Sequence, residues 1–152
     1  MISYTEDTIN NLVTLSRHNF EYAENNEELK NFYKKAFAED RFIYLYKNVD
    51  CIGFLVFYLF NEDDIKFMLE KKSGFNFPEH KKNGKYLYIE ECVIFKQFRN
   101  CPNLLYLREV FANAFLQIRG VCWHKSLIGE EKRIFNLHYS AERKYEKSYQ
   151  YN

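Results

Sequence analysis

His18 stands in the stretch Ser16-Arg17-His18-Asn19-Phe20, and Glu90 and Glu91 stand side by side at the end of the aromatic run Tyr86-Leu87-Tyr88-Ile89. An imidazole changes charge near neutral pH and can act as a general base. A carboxylate can take the proton itself or orient the imidazole ring. Neighbours on a strand point to opposite faces, so at most one of Glu90 and Glu91 serves a given site. The other needs solvent or a cation. The plain alternatives are a polar position on an amphipathic helix for His18 and a rim charge that guards the sheet for the glutamates. Arg99 can pair with a phosphate or be a solvated turn residue. Cys101 stands close to an expected helix start, which lowers a thiol pKa. A nucleophile there needs a base, and none stands beside it in the sequence, so we read it as a structural cysteine.

These residues must be held by a scaffold, and the hydrophobic pattern suggests one. Ile2 to Tyr4 reads as a short first strand. Asp7 reads as the N-cap of a helix with Ile9, Leu12, Val13 and Phe20 at helical spacing. Asn26 reads as the cap of a second helix with the stripe Leu29, Phe32, Tyr33, Ala36 and Phe37. Arg41 to Tyr46 and Cys51 to Phe60, joined by Asn48-Val49-Asp50, read as a hairpin whose second strand lies inside the sheet. A short helix with Ile65, Met68 and Leu69 follows, then an exposed loop from Ser73 to Gly84. Lys85 to Phe95 is the next strand. Pro102 suits the first turn of a helix carrying Leu104, Leu107, Phe111, Phe115 and Ile118, and Gly120 follows its end. Val121 to Lys125 is another strand, with Ile134 to Tyr139 as its expected partner. The tail from Ala141 reads as a last short helix or a loose end.

The totals narrow the class. A length of 152 residues with 15 Phe and 13 Tyr suggests one domain, 1–152, with a substantial core. The net charge of +1 lacks the basic excess of a general nucleic-acid binder, so nucleic acid is not an expected partner. A Lys/Tyr-rich end, Lys132 to Tyr151, reads as a solvated tail or as a surface for RNA or protein. The four cysteines, Cys51, Cys92, Cys101 and Cys122, contain no CxxC pair, so no metal site is expected and a reducing compartment fits. The longest apolar run, Ile52 to Phe60, has nine residues, where a membrane helix needs about 20. No signal peptide is apparent. A cytoplasmic protein is the expectation.

The stretch Ile94-Phe95-Lys96-Gln97-Phe98-Arg99-Asn100-Cys101-Pro102-Asn103-Leu104 resembles the donor-binding turn of GNAT acyltransferases. There a strand leads into a glycine-rich turn, and backbone N–H groups at a helix start bind the pyrophosphate of coenzyme A. Phe98 and Arg99 match that pattern. Asn100, Pro102 and Leu104 stand where the family has glycines; Pro102 removes a donor and Leu104 adds bulk, which argues against an ordinary pyrophosphate cradle. A narrower likeness is to the toxin-activating lysine acyltransferases, a GNAT-like branch that uses acyl carrier protein, and to GNAT-like phage proteins. It rests on Asn61-Glu62-Asp63-Asp64-Ile65-Lys66-Phe67, on Lys82-Asn83-Gly84-Lys85, on Tyr86-Leu87-Tyr88-Ile89-Glu90 and on the surroundings of His18.

The resemblance implies an α+β fold, GNAT-like, with a mixed, mostly antiparallel sheet flanked by helices. It implies acyl-coenzyme A or acyl carrier protein as donor and a protein amine as acceptor. An amine attacks a thioester only when neutral, so Glu90, His18 or Glu91 would be the base. Arg99, Asn100, Cys101 and Asn103 would hold the donor's phosphate. Trp123 would line the acyl cleft that opens where its strand diverges from its neighbour, or simply pack on the core. Tyr145-Glu146-Lys147 resembles the family's final tyrosine-bearing helix. The alternative is an inactive GNAT-fold binding or structural component, for example of a phage or virus particle, with another protein as partner.

Overall fold

The computed structural model describes residues 3–19, 24–70, 77–100, 117–125, 133–139 and 145–151. Its elements are α1 (Glu6–Asn19), α2 (Asn26–Ala38), β1 (Phe42–Lys47), β2 (Asp50–Phe60), α3 (Glu62–Glu70), β3 (Tyr86–Ile94), a 3-10 turn (Lys96–Phe98), β4 (Gly120–Lys125), β5 (Arg133–Tyr139) and β6 (Tyr145–Tyr151). The strands hydrogen-bond in the order β1-β2-β3-β4-β5-β6. The β3–β4 pair is parallel; β1–β2, β4–β5 and β5–β6 are antiparallel. Contacts divide the chain into two compact units, residues 1–56 with 91–107 and residues 57–90 with 108–152. β2 and β3 each run through both.

In the first unit, α1 and α2 lay one apolar stripe each on the sheet. Ile9, Leu12 and Val13 meet Leu29, Tyr33, Ala36 and Phe37, over Phe54, Val93 and Phe95. Spacing of three and four residues puts those side chains on one helix face. Helix α1 starts one residue before Asp7: Thr5 and Thr8 bond reciprocally, with Thr8 N donating to Thr5 Oγ1 at 3.2 Å. Helix α2 is capped by Asn25, one residue before the expected Asn26. Asn25 Oδ1 accepts from Glu28 N at 2.9 Å and Glu28 Oε2 accepts from Asn25 N at 2.8 Å, a reciprocal capping box. Ser3 and Tyr4 are not in a strand. The Tyr4 ring packs 5.2 Å from that of Phe37 instead, so its apolar surface is buried by a helix rather than by a sheet.

The hairpin forms as its turn residues require. Asn48 has φ 56°, a left-handed conformation that Asn tolerates, and Lys47 pairs with Asp50 across it. β2 lies between β1 and β3 and is buried almost throughout. Gly53 is required there: a Cβ at this position would stand 2.0 Å from Val93 O on β3.

In the second unit, Tyr58, Phe60 and Tyr88 gather with Ile65 of α3. Phe77 stacks on Tyr58 with centroids 5.1 Å apart. The described part of the expected exposed loop, residues 77–84, is tied down. Lys81 N donates to Leu59 O at 2.8 Å, Leu59 N donates to His80 Nδ1 at 3.0 Å, and Lys81 Nζ pairs with Asp64 at 2.9 Å. β5 pairs with β4 as expected. The tail beyond Ala141 differs from the expected helix or loose end: Tyr145–Tyr151 is a strand, paired along its length with β5. Tyr145, Lys147, Tyr149 and Tyr151 alternate with Glu146, Ser148 and Gln150, the period of a strand. The expected tyrosine-bearing final helix is therefore absent at Tyr145. Most of the expected helix from Pro102 to Ile118 lies outside the described residues.

Gly53→Ala is expected to force β2 and β3 apart and lower stability by about 3 kcal/mol, seen as a reduced urea midpoint at unchanged slope.

Candidate functional site

β3 carries the candidate carboxylates. It is anchored on one side by the close approach at Gly53 and continued by a turn that α1 holds. At the end of α1, the Asn19 amide does two things. Its Oδ1 accepts from Lys96 N at 2.8 Å and its Nδ2 donates to Leu15 O at 2.8 Å. Arg99 completes the attachment: Nε donates to Ile94 O at 2.7 Å and an Nη donates to Asn19 O at 3.0 Å. The backbone N–H groups of Phe98, Arg99 and Asn100 donate to Phe95 O, Lys96 O and Phe98 O. In the described part of this turn, three backbone N–H groups and two of the five guanidinium N–H donors of the exposed Arg99 are thus engaged by protein carbonyls. Cys101 and Asn103 lie outside the described residues.

Glu91 meets Tyr33, buried on α2. The Tyr33 hydroxyl donates to Glu91 Oε1 at 2.6 Å and contacts the hydroxyl of Ser16, which donates to Leu12 O at 2.7 Å. Ser16 and Tyr33 are both fully buried. Neither stood among the candidate residues. Tyr33 lies in the apolar stripe of α2, and only its ring was legible there. Glu90 is half-buried. His18 is exposed in the last turn of α1 and pairs with none of the described residues, so the carboxylate it was expected to share is engaged by Tyr33.

Trp123 lies on β4, as expected, and its backbone marks a change in the sheet. The parallel ladder runs from Tyr86↔Gly120 to Ile89↔Trp123 and stops, although β3 continues to Ile94 and β4 to Lys125. β4 keeps its pairing with β5 over those last residues.

Cys92 stands beside Glu91 on β3 as a half-buried free thiol. Burial, reinforced by the Glu91 charge, pushes its thiol up to about 12 from an ordinary value of 9.0. The folded state keeps this proton over a range in which the unfolded chain loses it. Stability from this group is therefore constant below pH 9.0 and falls as pH rises from there towards about 12. Among the described residues no group of three metal-ligating side chains occurs, and no helix is long and apolar enough to cross a membrane.

Two measurements check this site. Cys92 is expected to resist iodoacetamide at pH 8 in the native protein and to react once urea unfolds it, read by peptide mass spectrometry. Arg99→Ala is expected to lower stability by about 1–2 kcal/mol through loss of its two carbonyl contacts. Arg99→Lys would not restore both, because an ammonium lacks the guanidinium fork.

No family model and no curated protein matches the chain. Solved structures do. The loading GNATL domain of CurA from Lyngbya majuscula is similar over 78% of this chain and 60% of that one, with TM-score 0.51 and 12% identity. The GphF GNAT-like decarboxylase in complex with isobutyryl-CoA is similar over 80% of this chain and 63% of that one, with TM-score 0.55 and 16% identity. The chain spans about three-fifths of the length of each. At such identities the likeness speaks to architecture, and with the mixed, mostly antiparallel sheet and its flanking helices it establishes that this chain has an α+β fold of the GNAT-like kind.

Proposed function

We propose that this chain binds an acyl thioester, carried by coenzyme A or by acyl carrier protein, and passes the acyl group to an amine of another protein. The observation that supports this best is the early end of the β3–β4 ladder at Ile89↔Trp123. In GNAT acyltransferases the divergence of these two strands opens the acyl cleft. The solved GphF neighbour was captured with isobutyryl-CoA, which makes a short branched acyl thioester the natural first donor to try.

The chemistry asks little of the protein. The amine must lose a proton, a C–N bond forms at the thioester carbonyl, the C–S bond breaks, and the thiolate gains a proton. A positioned carboxylate can carry that proton. Glu91, fixed by Tyr33, is the favoured base, with Glu90 and the exposed His18 as the other candidates. A reducing cytoplasm, where such donors are made, is the compartment this reading implies.

One observation favours a second reading, a GNAT-fold binding or structural component without catalysis, for example in a phage or virus particle. The backbone N–H groups of Phe98, Arg99 and Asn100 and two guanidinium donors of Arg99 bond to the protein's own carbonyls, and Pro102 and Leu104 stand where the family has glycines.

Calorimetry with isobutyryl-CoA and with acylated carrier protein, beside mass spectrometry of a lysine peptide, separates the two. Saturable binding of one donor and transfer above the uncatalysed rate are expected. Glu91→Gln should keep the binding and lower transfer by about 10²-fold. Binding without transfer selects the second reading, and binding of neither donor overturns the thioester proposal.

A further inference from the structure

The three oxygens that lead from Glu91 into the core pose a counting problem. Glu91 Oε1 contacts Tyr33 Oη, Tyr33 Oη contacts Ser16 Oγ, and Ser16 Oγ contacts Leu12 O. Each link needs one hydrogen. Leu12 O is a carbonyl and supplies none, and the two hydroxyls supply one each. Three links therefore share two protons whenever Glu91 is ionised. Tyr33 then donates to the carboxylate, and the Ser16 proton goes either to Leu12 O or to Tyr33, leaving one link empty. When Glu91 is protonated on Oε1, that proton completes the set: Glu91 donates to Tyr33, Tyr33 to Ser16, and Ser16 to Leu12 O.

We propose that Ser16 and Tyr33 are positioning residues for Glu91, forming a buried relay in which each gain or loss of a proton by Glu91 reverses the hydrogen bond at Tyr33. The site is closed to water at its inner end, since Ser16 and Tyr33 are fully buried. An unfilled link there cannot be mended by solvent. The relay lets one carboxyl group serve as acceptor and then as donor with only hydroxyl rotations. No covalent bond changes in Ser16 or Tyr33, and the proton that Glu91 takes up is the one it later releases. As a role in catalysis this rests on the acyl-transfer reading; as a property of Glu91 it does not.

The two substitutions that test it act in opposite directions. Ser16→Ala removes the hydroxyl that accepts from Tyr33 when Glu91 is neutral, so it disfavours the neutral form and shifts the Glu91 midpoint down. Tyr33→Phe removes a donor to the half-buried carboxylate, disfavours its charged form and shifts the midpoint up. The readout is the Glu91 carboxyl carbon signal in the full chain labelled with ¹³C-glutamate, followed through pH and assigned with Glu91→Gln. Opposite shifts are the expected result. Shifts of the same sign, or none in either variant, overturn the relay. Because this titration needs no substrate, absence of acyl transfer with opposite shifts would count against the enzyme reading and leave the relay standing.

Discussion

A carboxyl group half-buried on β3, beside the apolar cluster that includes Val93 and Phe95, gains from a donor supplied by the protein. Tyr33 is that donor, and much of the first unit is arranged to deliver it. The capping box at Asn25 and Glu28 sets where α2 begins. Edge-on contact with Phe54, centroids 5.8 Å apart, holds the ring. Ser16 on α1 meets the hydroxyl from the other side. Glu91 is thus the point at which helix packing and sheet register must agree.

The same strand is constrained along its backbone. Gly53 allows β2 to approach β3 at Val93 more closely than any side chain would permit. Asn19 and Arg99 then bind the turn after β3 to the end of α1 through backbone carbonyls and amides. Such contacts satisfy polar groups that burial would otherwise leave unpaired.

The second unit is organised by different means. β3 and β4 pair in parallel over only four residue pairs, and β4 is then supported by β5 and β5 by β6. The segment 77–84 is fastened to β2 at Leu59 by His80 and Lys81, while Phe77, Glu79, Lys82 and Asn83 stay exposed.

Patterns of period and composition were enough to locate α1, α2, the hairpin, α3, β3, β4 and β5, because burial of one face writes itself into local spacing. The likeness of the stretch around Phe98 and Arg99 was likewise local, and the architecture agrees with it. The period-two alternation of Tyr145 to Tyr151 and the Asn25–Glu28 box were present in the sequence too, read respectively as a tail and one residue late. Other features had no local signal. Tyr33 looks like one more ring in an apolar stripe, and nothing near it in sequence points to Glu91, 58 residues away. Arg99 has the residue type of a phosphate ligand, and nothing local shows that two of its donors meet Ile94 O and Asn19 O. Local spacing records which face is buried; which polar atom meets which across the core depends on how separate elements dock, and that was decided only by the tertiary structure.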